Sequence, residues 1–233
     1  FKNQFRWFDG DLPKAGSQSG YTLLFQPVLP FVLESGAKII WRPAIPMIFD
    51  QPLFSSDGKF SGKSGLGDIA FDLAYAPKME GGLLLAYGLI ASMPTASNDL
   101  GTDRWTLGPE LLLGKVTPEY VAGIFPNHQW DIGGSGDKDI NLTSTQLFYT
   151  YLPGGGWSVG SAPTVTYDWT TDQWTVPLQL NLGKTVIRNG RPWKFSVELN
   201  YYLEKPDAFG PEWMLSLNVA PVVKNGLASW FGL

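Results

Sequence analysis

The chain has 233 residues, enough for one domain or two, and only 16% of them are charged against about 25% in an average soluble domain, while aromatics reach 14% with 10 Trp, 9 Tyr and 14 Phe. A net charge of −4 with no basic run leaves no electrostatic footprint for a nucleic-acid phosphate backbone, so nucleic acid is not an expected partner. With no Cys and a single His, disulfides, thiolate ligands and most His-based metal sites are excluded, and cysteine usage assigns no redox compartment.

In chain order, two-residue alternation bounded by Gly, Pro, Asn, Asp and Ser predicts strands at about 1–9, 20–33, 36–46, 66–78, 82–94, 104–115, 119–131, 141–153, 156–169, 172–184, 192–204 and 212–223. The clearest run sets Trp193, Phe195, Val197, Leu199, Tyr201 and Leu203 on one face and Lys194, Ser196, Glu198, Asn200, Tyr202 and Glu204 on the other. Most of the twelve have the roughly 9 to 11 residues, or slightly more, that a tilted strand needs to cross a bilayer, against about 5 or 6 in soluble sheets. No clean apolar run of membrane-helix length is present. The nearest, Gly81 to Asn98, is broken by Gly82, Gly88, Ser92 and Pro94. The sequence opens at Phe1 with no basic n-region or apolar h-region, so a signal peptide is expected to be removed or absent from it.

The connections are asymmetric. With the first strand running upward, the upper ones fall at about 10–19, 47–65, 95–103, 132–140, 170–171 and 205–211, and the lower ones at about 34–35, 79–81, 116–118, 154–155 and 185–191. Long loops above and tight turns below are the pattern of outer-membrane barrels. The segment 185–191 breaks it and reads as a long hairpin reaching past the bilayer. Trp41, Trp105, Trp130, Trp157, Trp169, Trp174, Trp193 and Trp213 fall near strand ends, where indoles form girdles at headgroup level. The expected fold is therefore all-β: a transmembrane, antiparallel, up-and-down β-barrel of about twelve strands. It is expected to occupy 1–223 of a single domain 1–233, with 224–233 a C-terminal extension, and to sit as a monomer in outer-membrane lipid.

If the apolar faces meet lipid, the opposite face lines the lumen, and its ionisable members include Lys2, Arg6, Lys38, Arg42, Asp72, Glu110, Lys194 and Glu198. Counting from the turns sets Arg42, Asp72, Glu110 and Glu198 near mid-height, where a twelve-stranded wall is narrow enough for them to meet. A selectivity ring and a set of mutually neutralising, bracing pairs are both open readings. Leu24, Val28, Ile40, Leu84, Ile90, Leu112, Phe125 and Phe148 share the inward parity and read either as greasy patches for apolar solutes or as packing for an inserted segment. Loop 47–65, with Phe49, Leu53, Phe54 and Phe60, is expected either to fold over the mouth or to stand free.

Catalytic signals are poor. His128 sits between Asn127 and Gln129 with no His-x-Ser pattern like that of the twelve-stranded outer-membrane phospholipase, and no Gly-x-Ser-x-Gly elbow occurs. Asp131, Asp137 and Asp139 lie in a Gly-rich loop whose spacing does not match a Ca²⁺-binding EF-hand. No catalytic residue, metal site or cofactor is expected.

Several strings arrive in a fixed order: Gln26-Pro27-Val28-Leu29-Pro30-Phe31, Arg42-Pro43 with Pro46, Gly65-Leu66-Gly67-Asp68, Pro94-Thr95-Ala96-Ser97, Leu100-Gly101-Thr102 and Trp105-Thr106-Leu107-Gly108-Pro109. Trp174-Thr175-Val176-Pro177-Leu178 and Gly183-Lys184 follow. Together they resemble the outer-membrane channel family associated with the meta-cleavage pathway of phenol degradation, across nearly the whole chain. The resemblance implies a Gram-negative outer-membrane channel that admits small hydrophobic or aromatic compounds, without catalytic residues or a cofactor. It also implies residues ahead of the first strand, a segment able to plug the lumen.

Overall fold

The computed structural model describes residues 1–223 and 225–228. Its strands are β1 (Lys2–Asp9), β2 (Ser19–Phe25), β3 (Leu29–Val32), β4 (Lys38–Phe54), β5 (Phe60–Leu66), β6 (Ile69–Ala76), β7 (Leu83–Met93), β8 (Arg104–Val116), β9 (Tyr120–Gly134), β10 (Asn141–Gly154), β11 (Trp157–Ser161), β12 (Thr164–Asp168), β13 (Gln173–Arg188), β14 (Arg191–Glu204) and β15 (Gly210–Pro221). β2 with β3, β5 with β6 and β11 with β12 each form one interrupted stave, so the fifteen segments make twelve. Two interruptions coincide with Pro27 and Pro163, which have no N–H to give a ladder, and the third with Gly67-Asp68.

All neighbouring staves pair antiparallel, and β1 closes on β15 with Lys2 opposite Asn218 and Trp7 opposite Trp213. The fold is a closed, twelve-stranded, up-and-down β-barrel. Closure removes the unpaired edges that an open sheet presents.

Burial is inverted relative to a water-soluble protein. Ser216 is 0% exposed and Asn200 2%, whereas Leu180 is 62% and Leu178 58% exposed. Alternation on β13 and β14 explains it: Leu178, Leu180 and Leu182 pair with Tyr201, Leu199 and Val197 on the outer face, and the polar residues between them turn inward. Trp7, Trp105, Trp130, Trp169 and Trp174 stand exposed toward the upper rim and Trp157 toward the lower one, forming the aromatic borders of this apolar belt. Among the described residues no helix is long and apolar enough to cross a membrane, so crossing falls to the strands.

One connection differs from the sequence expectation. Residues 47–65 are not a loop: β4 continues to Phe54 and β5 starts at Phe60, with Met47 opposite Leu66 and Gln51 opposite Lys63. The turn is only Ser55 to Lys59, closed by Gly58 N donating to Ser55 O at 3.0 Å, with Gly58 at φ +78° where a side chain is disfavoured. Pro52, Asp50 and the Ser/Gly run hide this hairpin, because backbone pairing above a bilayer requires no apolar alternation. The lower segment 185–191 is a hairpin as expected. β13 and β14 run to Arg188 and from Arg191, joined by Asn189-Gly190 with both residues at positive φ, the geometry of a tight two-residue turn.

β15 ends at Pro221, and of the extension 224–233 the described part, 225–228, turns back on the barrel with Asn225 Nδ2 donating to Pro30 O at 2.9 Å. Lys224 and 229–233 lie outside the described residues.

Candidate functional site

Arg42 on β4 stands opposite Asp72 on β6, and its guanidinium donates to the Asp72 carboxylate. Glu110 on β8 reaches the same corner through a gap in the stave between them. In register, Ala74, Gly88 and Glu110 follow one another across β6, β7 and β8, so β7 offers no side chain there to separate Glu110 from Asp72. Gly88 is obligatory at this point, since a Cβ would lie 2.2 Å from Leu73 O. The Arg42 Cζ also lies 5.2 Å from the centre of the Phe125 ring, a cation–π contact from β9.

These residues border a cavity of about 340 Å³ whose remaining walls are largely apolar: Val28, Ile40, Leu112, Phe125 and Phe148, with Ala74 and Ala86. Below it a second cavity of about 280 Å³, lined by Lys38 and Leu84, shares Ile40, Ala86 and Leu112 with the first. Apolar wall residues therefore continue from the charged corner into a lower cavity that Lys38 and Lys78 also line.

The sequence reading sets four of the lumen-facing ionisable residues at mid-height, Arg42, Asp72, Glu110 and Glu198, and the structure brings three of them together: Arg42, Asp72 and Glu110. Glu198 does not join them. It accepts from Asn181 Nδ2 at 3.0 Å and Asn218 Nδ2 at 2.8 Å on the β13–β15 wall, because β13–β15 lie across the lumen from β6–β8. Arg6 is engaged with Gln4 Oε1 at 2.7 Å and Thr22 Oγ1 at 3.2 Å. Lys194 lies by Gly183 on the same far wall, and Lys38 stands at the lower cavity. Of the apolar set, Ile40, Phe125 and Phe148 line the chamber, Leu84 lines the lower cavity, and Leu24 pairs with Lys2 outside both. Gln146 was missed, although it shares its parity with Phe148 on β10 and lines the chamber.

Three of the strings that carried the family resemblance, at 65–68, 94–97 and 100–102, meet in one place. Asp68 accepts from Ala96 N at 3.1 Å, Thr102 N at 2.8 Å and Thr102 Oγ1 at 3.0 Å, and Ser97 N donates to Leu66 O at 2.9 Å. The upper loop 94–103 is thereby latched to the break between β5 and β6.

His128 lies on β9 beside Trp130, 4.2 Å between ring centres, and its Nδ1 meets the Thr143 hydroxyl at 2.7 Å. Trp169 Nε1 donates to that same hydroxyl at 2.8 Å. The acidic loop is used internally: Asp131 and Asp139 both face Arg104, at 3.3 and 3.5 Å. Among the described residues no group of three or more His, Cys, Asp or Glu is placed to hold a metal ion.

A closed barrel with an apolar belt outside and a polar wall inside is the architecture of the outer-membrane β-barrel class. The comparisons agree on that architecture. The chain is similar to the structure of an outer membrane channel from Pseudomonas putida F1, with a TM-score of 0.71 at 14% identity over 95% of this chain and 93% of that one. It is also similar to the NanC porin, with a TM-score of 0.57 at 11% identity over 94% and 98% of the two chains. Outer membrane phospholipase A from Escherichia coli follows, with a TM-score of 0.50 at 11% identity over 96% and 90%. No family model and no curated protein sequence matches the chain. At these identities the likeness shows the fold.

Proposed function

We propose that the chain is a bacterial outer-membrane channel for passive uptake of small hydrophobic or aromatic molecules. The observation that carries this reading is the largely apolar cavity of about 340 Å³, which adjoins a second of about 280 Å³ through Ile40, Ala86 and Leu112. A path for hydrated solutes alone gains nothing from Leu112, Phe125 and Phe148 facing inward, whereas an apolar solute is stabilised by leaving water against them. The family resemblance supports the same reading, and the likeness to the outer membrane channel from Pseudomonas putida F1 supports a channel.

A general diffusion channel for ions and small polar solutes is the second reading, favoured by the polar side chains of Arg6 on β1 and of Asn181, Lys194 and Glu198 on β13 and β14. Catalysis is disfavoured because the single histidine, His128, lies in no His-x-Ser pattern. The proposed assembly is a monomer in outer-membrane lipid, working without a cofactor.

Growth of a deletion strain on limiting aromatic carbon sources tests the role. The proposal expects slower growth than the parent on at least one such source, restored by the gene. Unchanged growth and uptake on every hydrophobic compound tried counts against it.

A further inference from the structure

Glu110 is 5% exposed, lines the apolar chamber, and among the described residues neither of its carboxylate oxygens receives a hydrogen bond. Its neighbours are turned elsewhere: Arg42 Nε and Nη2 are engaged by Asp72, and the amide of Asn127, its register partner on β9, makes no hydrogen bond to it. The corner formally holds two carboxylates for one guanidinium. A carboxylate removed from water with no donor is costly, and it recovers that cost when a ligand supplies one.

We infer that the chamber binds a small amphiphile with a cationic head, an aliphatic or aromatic amine. Its ammonium donates to Glu110 and its apolar body lies against Phe125 and Phe148. The inference rests on the proposed passage of apolar molecules through this lumen and names a class within it. An ammonium suits the corner better than a hydroxyl, because it brings three donors together with the positive charge that the corner lacks. A carboxylate head is unsuited, since Arg42 is held between Asp72 and the Phe125 ring and a further anion would face Glu110. At about 340 Å³ the chamber is near the lower end of the roughly 300–1,000 Å³ usual for small-molecule sites, so the body is small.

Single-channel recordings of the full chain in planar bilayers test this with three probes of one shape: benzylamine, benzyl alcohol and toluene. Benzylamine is expected to block the current at a concentration about tenfold or more below that of benzyl alcohol, the gain of a charge-assisted hydrogen bond. In Glu110→Gln, its folding checked by heat-dependent gel mobility, the gap is expected to close to about twofold or less. Equal block by amine and alcohol, as when Glu110 merely shares a proton with Asp72, overturns the cationic site and leaves passage of apolar molecules standing. No effect from any of the three overturns both. A gap that persists in Glu110→Gln overturns the assignment to Glu110. Should that variant not fold, the comparison of probes on the unaltered chain still decides.

Discussion

Arg42 and Asp72 face each other directly across the β4–β6 ladder, and the guanidinium bonds the carboxylate inside the barrel while its carbon lies 5.2 Å from the Phe125 ring. The pair belongs to the wall of the chamber, so breaking it alters the passage before it alters the fold. Arg42→Ala is expected to leave two carboxylates facing the lumen, making the passage wider and more cation-favouring. Folding should survive at a cost of about 1–3 kcal/mol, for the donors that Asp72 loses. Conductance and reversal potential in a salt gradient measure it. Values equal to those of the parent would remove Arg42 from the constriction.

Leu180 pairs with Leu199 in the middle of β13 and is 62% exposed. In an apolar belt facing lipid, Leu180→Arg is expected to cost about 2–4 kcal/mol, the price of a cation near the bilayer midplane. Equilibrium urea titration of the barrel refolded into bilayers reads this out. A loss typical of an exposed site in water, under about 0.5 kcal/mol, would mean that this face does not meet lipid.

Asp68 holds loop 94–103 through three hydrogen bonds from Ala96 and Thr102. Asp68→Ala should release the loop without opening the barrel, because β6, β7 and β8 pair independently of it. Amide exchange at Ala96 and Thr102 is expected to accelerate while that of β7 stays unchanged. Equal protection in the variant would show that the latch is not what orders the loop.

Gly108 sits where the β8–β9 register passes from Leu107–Trp130 to Glu110–Asn127, and a Cβ there would fall 1.5 Å from His128 O. Nothing flexible can yield, since the obstacle is backbone. Gly108→Ala should separate the two strands, costing about 1–3 kcal/mol or more, and shift Glu110 within the chamber. Thermal unfolding followed by gel mobility gives the stability, and benzylamine block gives the displacement. A variant as stable as the parent would show that the close approach is not required.

The strands were legible because a barrel wall with lipid outside and water inside writes its alternation into the chain: Trp193 to Leu203 on β14 shows it almost without interruption. Inward parity was legible for the same reason, which is how Arg42, Asp72, Glu110, Phe125 and Phe148 were found before their contacts were known. What alternation does not encode is which residues on different staves share a height and a side of the barrel. Glu198 has the right parity and yet belongs to the far wall with Asn181 and Asn218, while Glu110 meets Asp72 only because Gly88 leaves a space between them. The β4–β5 hairpin was hidden because its pairing is held by backbone bonds above the apolar belt, where side chains no longer report the period.

The central claim is that the inward apolar path carries small hydrophobic molecules, and its most direct test is the initial uptake rate of labelled toluene by Gram-negative cells with and without the chain, beside a labelled sugar of similar size. Cells are needed because toluene crosses plain phospholipid vesicles unaided. The account predicts that the chain raises toluene uptake and leaves sugar uptake nearly unchanged, and that Leu112→Asp, which sets a charge where the two cavities join, abolishes the gain. Sugar uptake raised with toluene uptake unchanged would contradict it and assign the barrel to general diffusion.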